Sequence, residues 1–185
     1  MARYTLLEAA KKNNKALFDR LIQKENIDLN VQDDEGFTPL IYAAARGNKE
    51  MVFTLIEKGA DVNKTNLNGD GALMWSILYS YDRIADCLIK NGANVNQSNV
   101  NGETPLMAAA FKGNGLLAFL MVEKGGDVFK QDKKGETAVT KALKRGYTLL
   151  AEHLIKKEME RVKVYHKKEG VFKKFVREKG VFHGR

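Results

Sequence analysis

A chain of 185 residues, 44% of them hydrophobic, has material for one core of ordinary domain size. Its one cysteine, Cys87, excludes an intrachain disulfide and a cysteine-rich metal site, and its longest unbroken apolar run, Leu116 to Val122, is too short to span a bilayer. The net charge of +8 is segregated, because residues 156–185 hold eleven Lys/Arg and four Asp/Glu whereas residues 1–155 hold twenty and nineteen.

In residues 1–32, Leu6, Leu7, Ala9 and Ala10 and then Leu17, Phe18, Leu21 and Ile22 predict two short helices. The first residues lack an apolar signal region and carry Glu8, so they read as mature protein. Lys11, Lys12, Lys15 and Arg20 give this stretch a presequence-like look, which a polar N-terminal capping unit explains better. Residues 33–65 begin with Asp33-Asp34-Glu35-Gly36, a turn. Thr38-Pro39 then opens a helix, with a hydroxyl to cap free amides and a proline where its missing N–H costs little. Leu40, Ala43 and Ala44 give it an apolar face and Gly47-Asn48 ends it. Met51, Val52, Leu55 and Ile56 form the stripe of a second helix that Gly59 stops.

That sentence returns at residues 66–98, 99–131 and 132–157. Its turn glycines are Gly36, Gly69, Gly102 and Gly135, and Gly59-Ala60-Asp61-Val62-Asn63 returns as Gly92-Ala93-Asn94-Val95-Asn96 and Gly125-Gly126-Asp127-Val128-Phe129. Self-similarity at this period implies an all-α stack of about five helix-turn-helix repeats. The sequons at Asn63 and Asn96 follow from the register. In 66–98, the degenerate copy, Gly71-Ala72 replaces Thr-Pro and Ser76-Ile77 replaces the alanine pair, changes expected to loosen packing locally. Trp75 is expected to fill core volume beside Tyr42 or Met107. In the last copy Glu158-Met159-Glu160 stands where a glycine stop is due, so its second helix is expected to run on to about Lys168.

Thr38-Pro39-Leu40, Ala43-Ala44, Gly47, Leu55-Ile56 and Gly59-Ala60-Asp61-Val62-Asn63 resemble the ankyrin repeat, over about residues 2–157. The histidine usual after Thr-Pro-Leu in that family is replaced by Ile41, Met74, Met107 and Thr140. The resemblance implies an ankyrin-repeat solenoid used for protein binding, with a concave face lined by the turn tips and the ends of the first helices. Carried onto this chain, the helix-end row comprises Arg46, Leu78, Tyr79, Phe111, Lys112, Lys144 and Arg145, and the tips present Phe37, Leu67, Val100, Lys133 and Lys134. Aromatic side chains beside arginine suit binding anchors.

No catalytic, cofactor-binding or metal-binding set emerges. Cys87 lies on a helix stripe with Ile84, Leu88 and Ile89 and reads as a buried, inert thiol. His153, His166 and His183 have no partners at metal-ligand spacing. Residues 158–185 form a basic extension with aromatic anchors: Phe172, Lys173, Lys174, Phe175, Arg177 and Phe182. It supports three readings: folding back over the exposed end of the stack, binding a protein, or contacting a polyanion such as RNA, an acidic cytoskeletal surface or anionic lipid. The functional expectation is a non-enzymatic scaffold or subunit of a larger complex, with nucleic-acid binding through the tail, for example to ribosomal RNA, as the alternative. The expected setting is intracellular, foremost cytoplasmic, with mitochondria left open.

Overall fold

A computed structural model describes residues 5–166, with side chains described as far as Glu160. The described residues hold ten α-helices in alternating pairs: α1 (Leu6–Lys11) with α2 (Lys15–Leu21), α3 (Pro39–Ala45) with α4 (Lys49–Glu57), α5 (Ala72–Leu78) with α6 (Asp82–Lys90), α7 (Pro105–Lys112) with α8 (Gly115–Glu123), and α9 (Ala138–Lys144) with α10 (Thr148–His166). Each odd-numbered helix packs on the next odd-numbered one. From α4 onward each even-numbered helix does the same, which makes two parallel layers.

Local chemistry sets the helix starts. Thr38, Thr104 and Thr137 sit in extended backbone and accept from the amides of Ile41, Met107 and Thr140. Asn14, Asn48 and Asn114 do the same for the outer helices, accepting from Leu17, Met51 and Leu117. The degenerate copy has neither device, since Gly71 and Tyr81 stand at its two caps without a side-chain bond. Between the layers, Ala9, Ala10, Ala43, Ala44, Ala109 and Ala110 are wholly buried, which lets the inner helices approach closely. Ser76 takes an alanine position and is equally buried, its hydroxyl satisfied by donating to the Leu73 carbonyl at 2.8 Å. Leu40, Leu55, Leu88 and Leu106 fill the core at 1% exposure or less, each contributing about 2 kcal/mol.

Two sets of polar ties join consecutive repeats. At the tips, the amides of Leu67, Val100 and Lys133 donate to the carbonyls of Glu35, Asn68 and Asn101 at 2.8–3.0 Å. In the loops, Asn30, Asn63 and Asn96 accept from the amides of Asp61, Asn94 and Asp127 in the following copy. Asn63 and Asn96 also donate to the carbonyls of Gly92 and Gly125. The sequon asparagines therefore hold the stack together. The last outer helix, α10, runs unbroken past Lys157 to His166, and the glycines that would end it are absent from the sequence there.

The tip glycines are needed for two reasons, which one pair of positions separates. Gly102 has φ of +78° and Gly135 has φ of +73°, both in the left-handed region. A Cβ on Gly102 would lie 3.0 Å from the Asp132 Cα of the next tip, whereas one on Gly135 would meet open space. Gly135→Ala is expected to cost about 1 kcal/mol for backbone strain alone. Gly102→Ala should cost at least about 1 kcal/mol more, because the neighbouring backbone must also move. Urea denaturation followed by circular dichroism measures the difference, and equal losses would refute the close-approach argument.

Candidate partner-binding face

One register position, nine residues after the first residue of each turn, differentiates the inner-helix face along the stack. It holds Tyr42, Trp75, Ala108 and Lys141 in successive copies, counted from Asp33, Asn66, Asn99 and Asp132. Those four turn residues have a common task, each accepting two amides of its own tip through Oδ1. What differs is the side chain that comes down on them.

At the N-terminal end the face is aromatic. Phe37 stacks on Tyr42 with ring centroids 4.9 Å apart and tilts against Trp75 at 5.6 Å. Trp75 stacks on Tyr79 at 5.7 Å, and Tyr81 follows at 6.2 Å from Tyr79. The Tyr42 hydroxyl donates to Asp33 Oδ2 at 2.6 Å, and Lys11 lies over the Tyr42 ring while reaching the same carboxylate. Burial works to raise the Asp33 carboxyl, but the bonds from Tyr42, the Phe37 amide and Lys11 outweigh it and hold the group below the ordinary carboxylate range. Trp75 departs from the core position expected of it: it is half-buried, and its ring spans between Phe37 and Tyr79 on the face.

At the C-terminal end the face is ionic. Lys141 is buried at 8% exposure. Its ammonium reaches Asp132 at 2.8 Å, and Glu103 and Glu136 at 3.1 Å each. Lys144 also pairs with Glu136. Burial opposes the Lys141 charge, but the three carboxylates hold its ionisation well above the ordinary lysine range. Burial likewise works to raise Asp132, and Lys141 with the Glu136 and Lys134 amides reverses it, leaving that carboxyl low. Sequence reasoning missed Lys141. Its alignment with Tyr42 and Trp75 was the available signal.

Between the two ends, Ala108 leaves a pocket of about 490 Å³. Its apolar lining is Met74, Leu78, Met107 and Phe111, and Asp70, Glu103 and Glu136 stand among its polar groups, with Lys134 and Lys141.

The helix-end residues Arg46, Leu78, Tyr79, Phe111, Lys112, Lys144 and Arg145 are all exposed. The fold brings Phe111 and Arg145 together, with the guanidinium 4.7 Å from the ring centroid, and ties Tyr79 to Trp75. Among the tips, Leu67, Val100, Lys133 and Lys134 are exposed, whereas Phe37 is half-buried in the aromatic row. Phe172, Lys173, Lys174, Phe175, Arg177 and Phe182 lie outside the described residues.

Cys87 differs from its expected full burial. It is half-buried on the outer layer and lines a groove of about 630 Å³ with Phe53, Leu116 and Leu120. Burial pushes its thiol above the ordinary range, the direction of an unreactive thiol. Among the described residues no group of three or more His, Cys, Asp or Glu is placed to hold a metal ion.

Replacing Lys141 by Met should leave three carboxylates facing one another and cost about 3 kcal/mol near neutral pH. Asp132 has a folded pKa below its unfolded value of about 3.9. Its contribution is therefore present above that pH and lost as pH falls through the folded value. The Lys141→Met penalty should accordingly shrink as pH drops below about 4. Denaturation midpoints of both proteins across pH 2.5–8, taken in steps of about 0.5, check this; a penalty independent of pH would contradict the ionic account.

The family described as ankyrin repeats (three copies) matches residues 6–99 and, in a second register, residues 42–132. The putative ankyrin repeat protein FPV219 of Fowlpox virus is 42% identical over 62 residues, 33% of this chain and 14% of that protein. The potassium channel AKT2/3 of Arabidopsis thaliana is 31% identical over 91 residues, 44% of this chain and 11% of the channel. The E3 ubiquitin-protein ligase Ufd4 of Drosophila melanogaster is 42% identical over 59 residues, 32% of this chain and 2% of the ligase. The chain thus spans only a small part of the length of these curated relatives.

Proposed function

The chain belongs to the ankyrin-repeat family, whose repeats generally mediate protein–protein interaction, and on that premise we propose that it is a non-enzymatic binding scaffold or complex subunit. Its concave inner-helix face receives the partner. The observation that carries this reading is the pairing of exposed, pre-positioned anchors at the helix ends: Tyr79 held by its stack on Trp75, and Phe111 held under Arg145. Rings already fixed in place lose little rotamer freedom on binding, which favours them as anchors. Leu78 and Leu67 extend the apolar area, at 40% and 74% exposure. The surrounding Arg46, Lys112, Lys144 and Arg145 form a basic rim suited to an acidic or polar partner edge. Among the described residues no helix is long and apolar enough to cross a membrane.

The charge segregation supports a second, additional contact. Residues 158–185, which carry most of the net charge, serve in this reading as a basic anchor to the rest of the assembly, with RNA or another polyanion as the alternative target.

Affinity purification of the tagged full-length chain from its own cells, in parallel with Tyr79→Ala/Phe111→Ala, tests the face. The double variant should fold normally and lose about 2 kcal/mol of partner affinity, roughly thirtyfold. Identical partner recovery by both proteins would reject the concave-face reading. For the tail, binding of a short single-stranded RNA should weaken by at least about tenfold between about 50 and 200 mM salt if the polyanion alternative holds. Salt-independent binding, or none, removes that alternative.

A further inference from the structure

The pocket beside Ala108 has a chemistry that its own neighbours do not satisfy. Its apolar wall is Met74, Leu78, Met107 and Phe111, enough to enclose one aromatic ring. Its acidic side is Asp70 and Glu103. Lys141 is already shared among Asp132, Glu103 and Glu136. Among the described residues no ion pair reaches Asp70. It receives one side-chain bond, from the Asn99 amide at 3.1 Å. Burial, with the Glu103 charge adding to it, pushes the Asp70 carboxyl above the ordinary range, so a cation placed there would be favoured. Lys134 stands at the tip edge of the pocket, exposed to solvent. The complementary ligand is therefore an aromatic side chain with a cation next to it in sequence.

This chain carries that pattern. Residues 170–177 read Gly-Val-Phe-Lys-Lys-Phe-Val-Arg, so Phe172 is followed by two lysines and Phe175 precedes Arg177. Residues 167–185 hold seven Lys/Arg against two Asp/Glu, opposite in sign to Asp70 and Glu103. Helix α10 is joined to α9 by the three residues Arg145–Tyr147 and packs on it, so the two run antiparallel. Its 19 residues rise about 28 Å, against about 10 Å for the seven of α9. The chain consequently leaves α10 beyond the level at which α9 starts. From His166, six residues to Phe172 span up to about 20 Å.

We propose that the pocket beside Ala108 seats residues 170–177 of this same chain, with Phe172 or Phe175 among Met74, Leu78 and Met107 and the adjacent lysines on Asp70 and Glu103. The inference stands on the lining of the pocket and is independent of the partner reading above. Together the two would make the face a contested site that a partner gains by displacing the tail.

Trp75 is the single tryptophan and directly follows Met74 of the pocket, which makes it a built-in donor for energy transfer. The test uses the full chain with Cys87→Ser and Gly180→Cys carrying a dansyl acceptor. Transfer from Trp75 should be strong and independent of protein concentration. Lys173→Glu/Lys174→Glu and, separately, Phe172→Ala/Phe175→Ala should each reduce it by about threefold, and both leave the sequence of the repeats unchanged. Asp70→Lys should reduce it likewise, and combining Asp70→Lys with Lys173→Glu/Lys174→Glu should restore it. Absent transfer, or transfer that none of these changes alters, overturns the proposal, the latter placing the tail elsewhere, such as over the end of the stack. Transfer that rises with concentration overturns it in favour of a second copy of the chain.

Discussion

Each turn tip after the first donates a backbone amide to the carbonyl of the tip before it, and much else follows from that contact. The three bonds from Leu67, Val100 and Lys133 need two backbones at van der Waals distance. Such an approach is possible only where the preceding tip carries no Cβ. At Gly36, Gly69 and Gly102 a Cβ would meet the next tip at 2.8–3.0 Å. Gly36, Gly69 and Gly102 are thus the sequence trace of a stacking distance, while Gly135 continues the 33-residue period through its left-handed backbone alone. Once the tips are locked, the inner helices that start from them are held in register, and equivalent positions in successive copies become neighbours. A row of such positions behaves like a one-dimensional surface whose character is set one residue per repeat.

The row Tyr42, Trp75, Ala108, Lys141 illustrates the consequence. All four stand over the same backbone site, yet they produce an aromatic stack, a pocket and a buried ionic cluster in turn. The two ends solve one electrostatic problem differently. Asp33 and Asp132 both open a turn, the first half-buried and the second buried. The first is satisfied by a tyrosine hydroxyl with a lysine beyond it, the second by a lysine directly. Where the turn residue is neutral, as Asn66 and Asn99 are, no cation is required, and Trp75 and Ala108 can occupy the position. The choice between Asp and Asn at the turn therefore decides what the face may carry above it.

That logic also separates what the sequence made legible from what it did not. Thr38-Pro39, Thr104-Pro105, Gly47 and Gly59 act within a few residues of themselves, so their roles can be read from the chain: caps, first turns and stops. The unbroken run of α10 was legible for the same reason. Lys141 was not, because two of its partners lie on the turn of its own copy and a third, Glu103, is 38 residues away in the copy before. In isolation it is one lysine among Lys133, Lys134, Lys141 and Lys144. Trp75 misled in the other direction, since a large apolar residue beside a helix start suggests core. Its register position is that of Tyr42, Ala108 and Lys141, so the ring stands in the face row and only partly packs on the core. Cys87 sits at the margin of a stripe whose centre is Ile84, Ala85, Leu88 and Ile89, and a stripe read from spacing does not mark its own edge.

The degenerate copy, residues 66–98, shows how surface and stability share the same atoms. It lacks both side-chain caps, and its inner helix is followed by Ser80 at φ of +60° where the second, fourth and fifth copies use Gly47, Gly113 and Gly146 and the first uses Asn13. The missing cap at Tyr81 costs about 1 kcal/mol, the glycine at the other cap about a few tenths, and the left-handed serine about 1 kcal/mol. Compensation comes from rings. Tyr81 packs on the preceding copy so closely that a Cβ at Gly47 would meet its ring at 2.6 Å. Trp75 bridges Phe37 of that copy to Tyr79 of its own, and each such ring pair adds about 1 kcal/mol beyond buried area. In a stack where every repeat is held by its neighbours, a middle copy weak in itself survives through its interfaces. The aromatic row displayed on this face is then the same row that holds copies two and three together. Selection on one cannot alter these rings without altering the other.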